Sequence, residues 1–314
     1  MVPTQPELLA YISQGVIGLT QWIFMNGEFV AKEDAKVSVY DHGFLYGDGI
    51  FEGIRSYGGN IFRLKEHLER LYDSAKAIML TIPYTYAEVE QIVVDTVRKN
   101  GLENAYIRLV VSRGVGNLGL DPFNCRQAQM IVIAEQLALF PKELYETGIE
   151  VVTVATRRNR GDILDPKIKS LNYLNNILIR IEAHLAGVSE ALTLNTEGYV
   201  AEGSGDNVFL VKDGELWTPP SYIGALQGIT RQAIIDIAKE MGYTVKEQPF
   251  TRYDVFVADE VFLTGTAAEL IPVVKVDGRV ISGGKPGLHT GRLLEGFRKL
   301  VHEDGVKVYA EQEI

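Results

Sequence analysis

Two hydrophobic periodicities run along the chain and predict a mixture of helices and strands. Apolar residues three and four positions apart share one face of an α-helix, whereas short β-branched runs are typical of strands. The helical spacing predicts helices over residues 64–78, 86–99, 173–186, 230–241 and 289–301. Strands are predicted over residues 36–40, 106–111, 130–134, 150–155, 191–194, 208–211, 261–263 and 273–276.

Two local patterns add detail to these elements. Asn26-Gly27 lies between the apolar runs of residues 22–30 and predicts a hairpin, because this dipeptide suits a two-residue turn between strands. The predicted helix over 173–186 carries an apolar stripe on one face, formed by Leu174, Leu178, Ile181 and Leu185.

The segment G-V-G-N-L-G at residues 114–119 matches a dinucleotide-binding fingerprint in its letters. Such a fingerprint needs a helix that begins within it, so that the helix N-terminus faces the pyrophosphate. Here Asp121-Pro122 follows at once and indicates a turn. The segment is therefore predicted to be a glycine-rich loop.

The order of elements suggests more than one domain. At roughly 150 residues per domain, a chain of 314 residues predicts two. We expect an N-terminal arm over 1–20, a small α+β domain over 21–135, an interdomain loop over 136–142 and a larger domain over 143–314.

Composition narrows the class of protein. Hydrophobic residues make up 46% of the chain, and its formal net charge of −10 argues against a general nucleic-acid binder, which needs a basic face. The single cysteine excludes an internal disulfide, and the five histidines lack ligand-like spacing. No apolar run approaches the ~20 residues of a membrane span. We expect a cytoplasmic protein with no membrane partner, no nucleic-acid partner and no metal site.

One short basic run, RRNR at residues 157–160, interrupts this acidic background. A run of this length is expected either in a solvated loop or beside a local carboxylate.

Four polar, glycine-rich segments lie where an ordinary core would be apolar. Three of them are DPKIKSLNYLNN at 165–176, YVAEGSGDNVFL at 199–210 and VFLTGTAAE at 261–269. The fourth, GITR at 228–231, lies at the start of a predicted helix, where free N–H groups can bind phosphate. Each segment alone is compatible with a turn or cap, so only their combination is informative.

Together with HGFLYGDGIFEGIR at 42–55, LKEHLERL at 64–71 and AYIR at 105–108, these segments resemble the fold-type IV pyridoxal-phosphate enzymes. The similarity is greatest to the branched-chain amino acid aminotransferases and covers about residues 22–300. It implies an α+β protein with a small α+β N-terminal domain and a larger, β-barrel-like α/β C-terminal domain. It also implies pyridoxal 5′-phosphate, alternating with pyridoxamine phosphate, as cofactor.

The cofactor aldehyde requires a lysine for its Schiff base. Lys167 and Lys169 both lie in the first polar segment, and in an extended stretch they would point the same way. The resemblance favours Lys169 as the catalytic lysine. It further implies Glu202 as partner of the pyridine nitrogen and Tyr173 as partner of the ring hydroxyl. The other cofactor-binding positions that it implies are Arg70, Gly205, Asn207, Ile229, Thr230 and Thr266.

Arg70 is the implied phosphate ligand on the predicted helix 64–78. Its alternative is a surface pair with Glu66 one turn earlier, an arrangement worth only ~0.2–0.5 kcal/mol. For the substrate, the resemblance implies that Gly53 admits close backbone approach and that Arg108 or Arg55 binds a second carboxylate. The remaining implied substrate positions are Tyr46, Phe51, Tyr106, Thr266 and Ala267, with core packing as the alternative for Phe51 and Tyr106.

The implied reaction moves the amino group of L-leucine, L-isoleucine or L-valine to 2-oxoglutarate, giving branched 2-oxo acids and glutamate. D-amino-acid aminotransferases, (R)-amine transaminases and aminodeoxychorismate lyases share the fold and are the alternatives, with a non-catalytic scaffold as a more distant one. The Tyr106-Ile107-Arg108 pattern and the GITR segment argue for the branched-chain group.

The resemblance also implies a homodimer or a dimer-based homohexamer. In such an assembly a neighbour's loop covers the site, and residues 114–122 are the candidate loop. Two departures from the family pattern concern the loops. Gln227 replaces the proline that often precedes GITR, and residues 137–141 do not match relatives, so we expect that stretch to close over the substrate.

Overall fold

The computed structural model describes residues 20–136 and 140–309. The predicted arm, apart from Thr20, and residues 137–139 of the stretch expected to close over the substrate lie outside the described residues. Within the described ranges, the helices are α1 (His42–Tyr46), α2 (Leu64–Ala77), α3 (Tyr86–Lys99), α4 (Lys142–Thr147), α5 (Leu174–Leu185), α6 (Ile229–Glu240), α7 (Arg252–Phe256) and α8 (Leu288–Glu303).

The strands form two sheets. In chain order they are β1 (Trp22–Met25), β2 (Glu28–Ala31), β3 (Gly49–Tyr57), β4 (Asn60–Phe62), β5 (Ala105–Ser112), β6 (Gln129–Glu135), β7 (Ile149–Arg157), β8 (Glu190–Leu194), β9 (Asn207–Lys212), β10 (Glu215–Thr218), β11 (Val245–Glu247), β12 (Glu260–Gly265), β13 (Glu269–Val276), β14 (Arg279–Val280) and β15 (Gly305–Lys307).

The first sheet is antiparallel and has the strand order β15-β4-β3-β5-β6-β1-β2. Its β1–β2 hairpin turns at Asn26 and Gly27, both at positive φ, as the Asn-Gly dipeptide predicts. Helices α2 and α3 cover this sheet, and α3 begins with a capping box between Thr85 and Glu88. The core between them is apolar and includes Ile50, Leu68, Val93 and Leu109.

The second sheet is mixed, with the order β11-β10-β9-β12-β13-β7-β8 and β14 beside β13. Strands β13, β7 and β8 run parallel to one another, and helix α5 packs against β7 and β8. Phe62 of β4 and Phe297 of α8 meet edge to face with ring centroids 5.5 Å apart, which ties the first sheet to the helices of the second. The predicted α+β fold, with a half-barrel second sheet, is confirmed.

Most predicted elements are confirmed within a few residues, but the strand expected over 36–40 is wrong. Those residues pair with no strand of the described chain, and Val37 and Val39 are exposed. The predicted helix 173–186 is confirmed as α5, yet its apolar stripe does not face the core. Ile179 and Ala183 are its buried residues, so the predicted stripe of Leu174, Leu178, Ile181 and Leu185 lies on the surface.

The domain division remains a prediction, with one structural qualification at the C-terminal end. Strand β15, assigned by position to the large domain, pairs with β4 of the first sheet, and Val308 is buried in the core of that sheet. The chain therefore returns to its first layer at its end. Among residues 20–136 and 140–309, no helix is long and apolar enough to cross a bilayer.

Candidate active site

A cavity of about 240 Å³ lies between the two sheets and brings the polar segments together. Segments that are far apart in sequence meet here because β3 and β5 belong to one sheet, whereas β8, β9 and β12 belong to the other. The lining residues are Gly53, Arg70, Tyr106, Phe140, Lys169, Arg180, Glu190, Ser204, Gly205, Asp206, Asn207, Leu226, Gly228, Ile229, Thr230, Thr264, Gly265, Thr266 and Ala267.

Lys169 is held rigidly by its backbone. Its carbonyl accepts a hydrogen bond from the Phe51 amide at 2.9 Å, and its amide donates to Ser74 Oγ at 3.2 Å. The Nζ atom lies 4.4 Å from the centroid of the Phe51 ring and 3.4 Å from the Tyr173 hydroxyl. The side chain thus presents its amine to the cavity beside a tyrosine.

Lys167 is separated from the site by a turn. The amide of Ile168 donates to the carbonyl of Asp165, so the stretch is not extended and the two lysines diverge. Lys167 Nζ lies 3.2 Å from an Asp165 carboxylate oxygen, in an exposed pair. The structure therefore shows that Lys169, and not Lys167, reaches the cavity. The alternation of side chains in an extended strand could not distinguish the two lysines.

Arg70 belongs to a buried ionic cluster rather than to a surface pair with Glu66. Its Nε and Nη2 atoms donate to the two carboxylate oxygens of Glu52 at 2.7 and 2.8 Å, and Nη1 donates to the Gln227 carbonyl at 2.6 Å. His67 Nδ1 lies 2.7 Å from the same carboxylate. A planar guanidinium bound in this forked way has a fixed orientation.

The charge states of this cluster follow from its burial and contacts. Burial alone would raise the pKa of Glu52, but the charge and hydrogen bonds of Arg70, with those of His67, lower it to about 2. Burial lowers the pKa of His67, against the opposing effect of Glu52. At neutral pH a neutral His67 therefore donates Nδ1–H to an ionised Glu52, and Arg70 supplies the positive charge.

Glu202 is buried behind the cavity wall. Arg158 Nη2 is 2.6 Å from its Oε1, and the Leu226 amide donates to its Oε2 at 2.8 Å. Arg158 is itself positioned by Asn175 and Asn176, whose side-chain oxygens accept from Nη1 at 2.8 and 3.2 Å. The buried pair fixes the Glu202 carboxylate next to the cavity.

The amino end of α6 forms one wall of the cavity. Among the described residues, no side chain caps this helix, so the first amides, those of Ile229 and Thr230, keep free N–H groups. Gly228 is sterically required, because a Cβ there would lie 2.1 Å from Asn207 Oδ1. Gln227, in place of the expected proline, still offers its carbonyl to Arg70. Thr266, which directly follows β12, lines the same cavity.

The opposite wall is aromatic. A Cβ on Gly53 would lie 2.3 Å from the Tyr106 hydroxyl, so glycine is what allows Tyr106 to lie across the strand. That hydroxyl accepts a hydrogen bond from Arg108 Nη2 at 3.1 Å, and burial raises the pKa of Tyr106. The Arg108 guanidinium carbon lies 4.5 Å from the centroid of Phe51, a cation–π distance.

Four predicted substrate residues do not line this cavity: Tyr46, Phe51, Arg55 and Arg108. Phe51 and Arg108 pack against each other beside it, whereas Arg55 and Tyr46 are bonded elsewhere. Arg55 Nη1 lies 3.2 Å from both the Ala267 carbonyl and Glu269 Oε1, so its charge is already paired at the rim. Tyr46 does not line this cavity. Its hydroxyl donates to the Leu118 carbonyl at 2.6 Å, in the glycine-rich loop.

Three charged residues near the site have roles that sequence reasoning did not assign. Glu52 lies within one of the quoted segments, and an acidic residue close to Ile50, Phe51 and Ile54 is a usable signal, because acids are rarely buried unless they are paired. For Arg158, the sequence predicts a solvated loop or a local carboxylate, and the second alternative is confirmed, with Glu202 as partner. Asp206 lines the cavity, and no local sequence signal marks its carboxyl as distinctive.

The fold and the lysine-centred cavity define a family of transferases, and comparison with known proteins agrees. The family model for amino-transferase class IV matches residues 49–276. The chain therefore belongs to the class IV aminotransferases.

Within that class, several similar proteins carry branched-chain aminotransferase names. A Methanocaldococcus jannaschii protein assigned as a putative branched-chain-amino-acid aminotransferase is 53% identical, over 92% of this chain and 99% of its own. The crystal structure of the Escherichia coli branched-chain amino acid aminotransferase superposes with a TM-score of 0.88 at 39% identity, covering 90% of this chain and 95% of that one. The T.th. branched-chain enzyme complexed with N-(5′-phosphopyridoxyl)-L-glutamate gives a TM-score of 0.85 at 41% identity, with 90% and 94% covered.

Pyridoxal 5′-phosphate, with its pyridoxamine form, is the cofactor, and the cavity fits it. An amine, an uncapped helix N-terminus and an oriented guanidinium line one space. Thr264 Oγ1, also on the lining, is buried without a hydrogen-bond partner among the described residues. A buried hydroxyl left in this state is typical of a site that a polar ligand completes.

Proposed function

We propose that this enzyme transfers the amino group of L-leucine, L-isoleucine and L-valine to 2-oxoglutarate. The observation that carries this proposal is the placement of Lys169 Nζ in a cavity with one polar wall and one aromatic wall. The polar wall suits the phosphate and charged groups of the cofactor, and the aromatic wall suits a branched apolar side chain. The branched-chain names of the relatives favour this hypothesis over the D-specific, (R)-amine and lyase alternatives.

Each wall contributes a separate task to the reaction. Bound pyridoxal phosphate supplies an electron sink for the bond broken at the substrate Cα. Lys169 would hold the cofactor through Nζ, and the same amine would carry the proton of the substrate Cα. Tyr173 lies within hydrogen-bond distance of the lysine amine, and Glu202 would face the ring nitrogen and favour its protonated form. Arg70 and the amides of α6 bind the phosphate.

The substrate pocket must accept both leucine and glutamate. Tyr106 and Phe51 provide an apolar surface for the first. The second brings an extra carboxylate, and Arg108 is the arginine best placed to bind it. Arg55, the alternative, is already paired with Glu269. Among the described residues, the Arg108 guanidinium contacts the Tyr106 hydroxyl and the ring faces of Phe51 and Tyr106, so N–H donors remain for a carboxylate.

The reaction is tested with a panel of amino donors, supplied as separate L and D enantiomers with 2-oxoglutarate. Glutamate should form from L-leucine, L-isoleucine and L-valine, and not from the D enantiomers. Lys169→Ala should abolish the reaction, while Lys167→Ala, a matched exposed lysine two residues away, should leave it intact. Equal turnover with D-leucine, or full activity in Lys169→Ala, would refute the proposal.

The role of Arg108 is tested by substrate discrimination. Arg108→Gln should raise KM for 2-oxoglutarate about tenfold or more, because a charge-assisted hydrogen bond is lost. KM for leucine should change much less, since leucine has no second carboxylate. Arg55→Gln is the comparison, and a selective loss of 2-oxoglutarate binding in that variant would transfer the role to Arg55.

We also propose that the enzyme works as a homodimer, alone or as the unit of a hexamer. On α5, Leu174, Ile177, Leu178 and Ile181 are between 45 and 61% exposed, and apolar patches of this kind mark interfaces. The loop over 114–122 exposes Leu118 and Leu120 and is bonded to Tyr46, which does not line its own cavity. We assign this loop, with Tyr46, to the cover of a partner's cavity.

Light scattering tests the assembly. The wild-type protein should be dimeric or larger, and Leu178→Glu should lower both the mass and the activity. A fully active wild-type monomer would contradict the assignment. The cytoplasmic location of the enzyme remains a prediction from the sequence.

A further inference from the structure

One acidic side chain points into the cavity without a hydrogen-bond partner. Asp206 is 6% exposed and lines the cavity, yet no described group donates to its carboxyl oxygens. An ionised carboxyl in that state is costly, because it has lost most of its contact with water and has gained no donor among the described residues. The tasks assigned to the other site residues leave none for Asp206.

The fold makes room for this carboxyl. Strands β9 and β12 pair with Thr264 opposite Asn207, so Gly265 lies opposite Asp206. A Cβ on Gly265 would lie 2.0 Å from Asp206 Oδ1, which means that glycine provides the space for the carboxyl.

The same neighbourhood carries the phosphate-binding groups. Gly265 directly precedes Thr266, and Asn207, the neighbour of Asp206, lies against Gly228 at the start of α6. The Asp206 carboxyl therefore lies beside Gly265, one residue before Thr266, and its chain neighbour Asn207 contacts the start of α6. A carboxylate at this position would repel a phosphate dianion, whereas a carboxylic acid would donate to it.

A second buried acid, Glu190, lies near Asp206, and the donors around each carboxyl differ. Glu190 Oε1 accepts from the amides of Ala191 and Ser204 at 2.7 and 2.9 Å. Its Oε2 accepts from Ser204 Oγ at 2.8 Å and from Arg180 Nη1 at 3.1 Å. Glu190 thus has four donors among the described residues and the Asp206 carboxyl has none, so the geometry places the proton of the pair on Asp206.

The charges around Asp206 act in the same direction overall. Burial, then the charges of Glu190 and Glu202, raise the pKa of Asp206 to about 8, against the opposing effect of Arg180 and Lys169. Tyr145 also lies within electrostatic range.

We propose that Asp206 is a positioning residue, protonated in the working enzyme, that donates its O–H to a phosphate oxygen of the cofactor. This inference rests on the phosphate site of the proposed function. It adds a neutral side-chain donor to the phosphate ligands already proposed, Arg70 and the amides of α6.

The test compares binding of pyridoxal 5′-phosphate and of pyridoxal, which lacks the phosphate. Dissociation constants are measured by equilibrium dialysis on full-length protein freed of cofactor, at pH 7. Asp206→Ala should weaken pyridoxal phosphate about tenfold and pyridoxal less than twofold. Asp206→Asn keeps a neutral donor and should stay within threefold of wild type for both ligands. Circular dichroism verifies that each variant is folded.

The pH dependence of pyridoxal phosphate binding provides an independent test. At pH 9.5 wild-type Asp206 has lost its proton whereas asparagine cannot, so wild type should bind pyridoxal phosphate about tenfold more weakly than Asp206→Asn. Taking this ratio cancels the titrations of the cofactor and of Lys169, which both proteins share. Glu190→Gln removes the charge that favours the proton on Asp206, so the loss of affinity should begin at lower pH.

The outcomes separate the two proposals. If wild type binds pyridoxal as tightly as pyridoxal phosphate, the phosphate site itself is wrong. If wild type discriminates and Asp206→Ala discriminates equally well, the phosphate site stands and the role of Asp206 is refuted. Equal weakening of both ligands by Asp206→Ala, or a wild-type to Asp206→Asn ratio that is constant with pH, would also refute it.

Discussion

The buried cluster of Glu52, Arg70 and His67 offers the sharpest test of the site, through the substitution Glu52→Gln. Glutamine is nearly the same size, so the change removes a charge and leaves little cavity. The Arg70 guanidinium would then be buried without the carboxylate that receives two of its hydrogen bonds. We expect the variant to lose both stability and cofactor affinity.

The magnitude follows from the pKa of Glu52. Its fall from 4.5 to about 2 corresponds to roughly 3 kcal/mol at 1.36 kcal/mol per pH unit. Loss of one partner of a buried ion pair typically costs about 3–5 kcal/mol, which agrees. Because the native pKa lies below the unfolded one, this stabilisation is complete above about pH 4.5. It is lost as the pH falls towards 2.

The assay is urea unfolding of the cofactor-free enzyme, for wild type and Glu52→Gln, at several pH values. The difference in the free energy of unfolding should be about 3 kcal/mol at pH 7 and should shrink as the pH falls below 4.5. The dissociation constant of pyridoxal phosphate should also rise about tenfold, because Arg70 loses the contact that aims it. Glu66→Gln, one helical turn from Arg70, is the matched control and should cost under ~0.5 kcal/mol. If the two variants are equally stable, or the difference does not change with pH, the cluster does not act as described.

Two further substitutions test the two walls. Gly53→Ala places a Cβ 2.3 Å from the Tyr106 hydroxyl, so the ring should be displaced. In steady-state kinetics, KM for leucine should rise at least tenfold. An unchanged KM would show that Tyr106 does not shape the pocket. Arg158→Gln leaves Glu202 buried without its cation. It should lower the free energy of unfolding by about 3 kcal/mol without cofactor, and by less with cofactor bound, whereas Arg160→Gln, at an exposed ion pair, should have almost no effect. Equal losses in the two arginine variants would refute the role of the buried pair.

Sequence reasoning performed well on local structure and on the segments that carry chemistry. The helix over 86–99 is reproduced residue for residue, because its apolar spacing and its Thr85–Glu88 cap are both local signals. The strand expected over 36–40 failed because alternation describes a half-buried strand only when a partner strand exists. None of the described strands pairs with it.

The alternation of side chains along a strand also could not predict which lysine faces the cavity, because the chain turns at this point. Lys167 and Lys169 would be equivalent in an extended segment, and the hydrogen bond between Ile168 and Asp165 is what separates them. The apolar stripe of α5 shows the complementary ambiguity. A hydrophobic helix face is the same pattern whether it meets the core or a second subunit, so the sequence could not say that Leu178 is exposed.

From the sequence alone came the element types, the family resemblance and the candidate lysine, carboxylate and phosphate ligands. These depend on short-range sterics and on the order of chemical groups, which are written along the chain. Tertiary structure decided which charges meet. Glu52 reaches Arg70 across 18 residues, and Glu202 meets Arg158 from a different segment. The proposed proton on Asp206 likewise depends on Glu190 of β8, which binds four donors while Asp206 binds none among the described residues. Burial and pairing are set by the packing of two sheets, and no single stretch of sequence contains that packing.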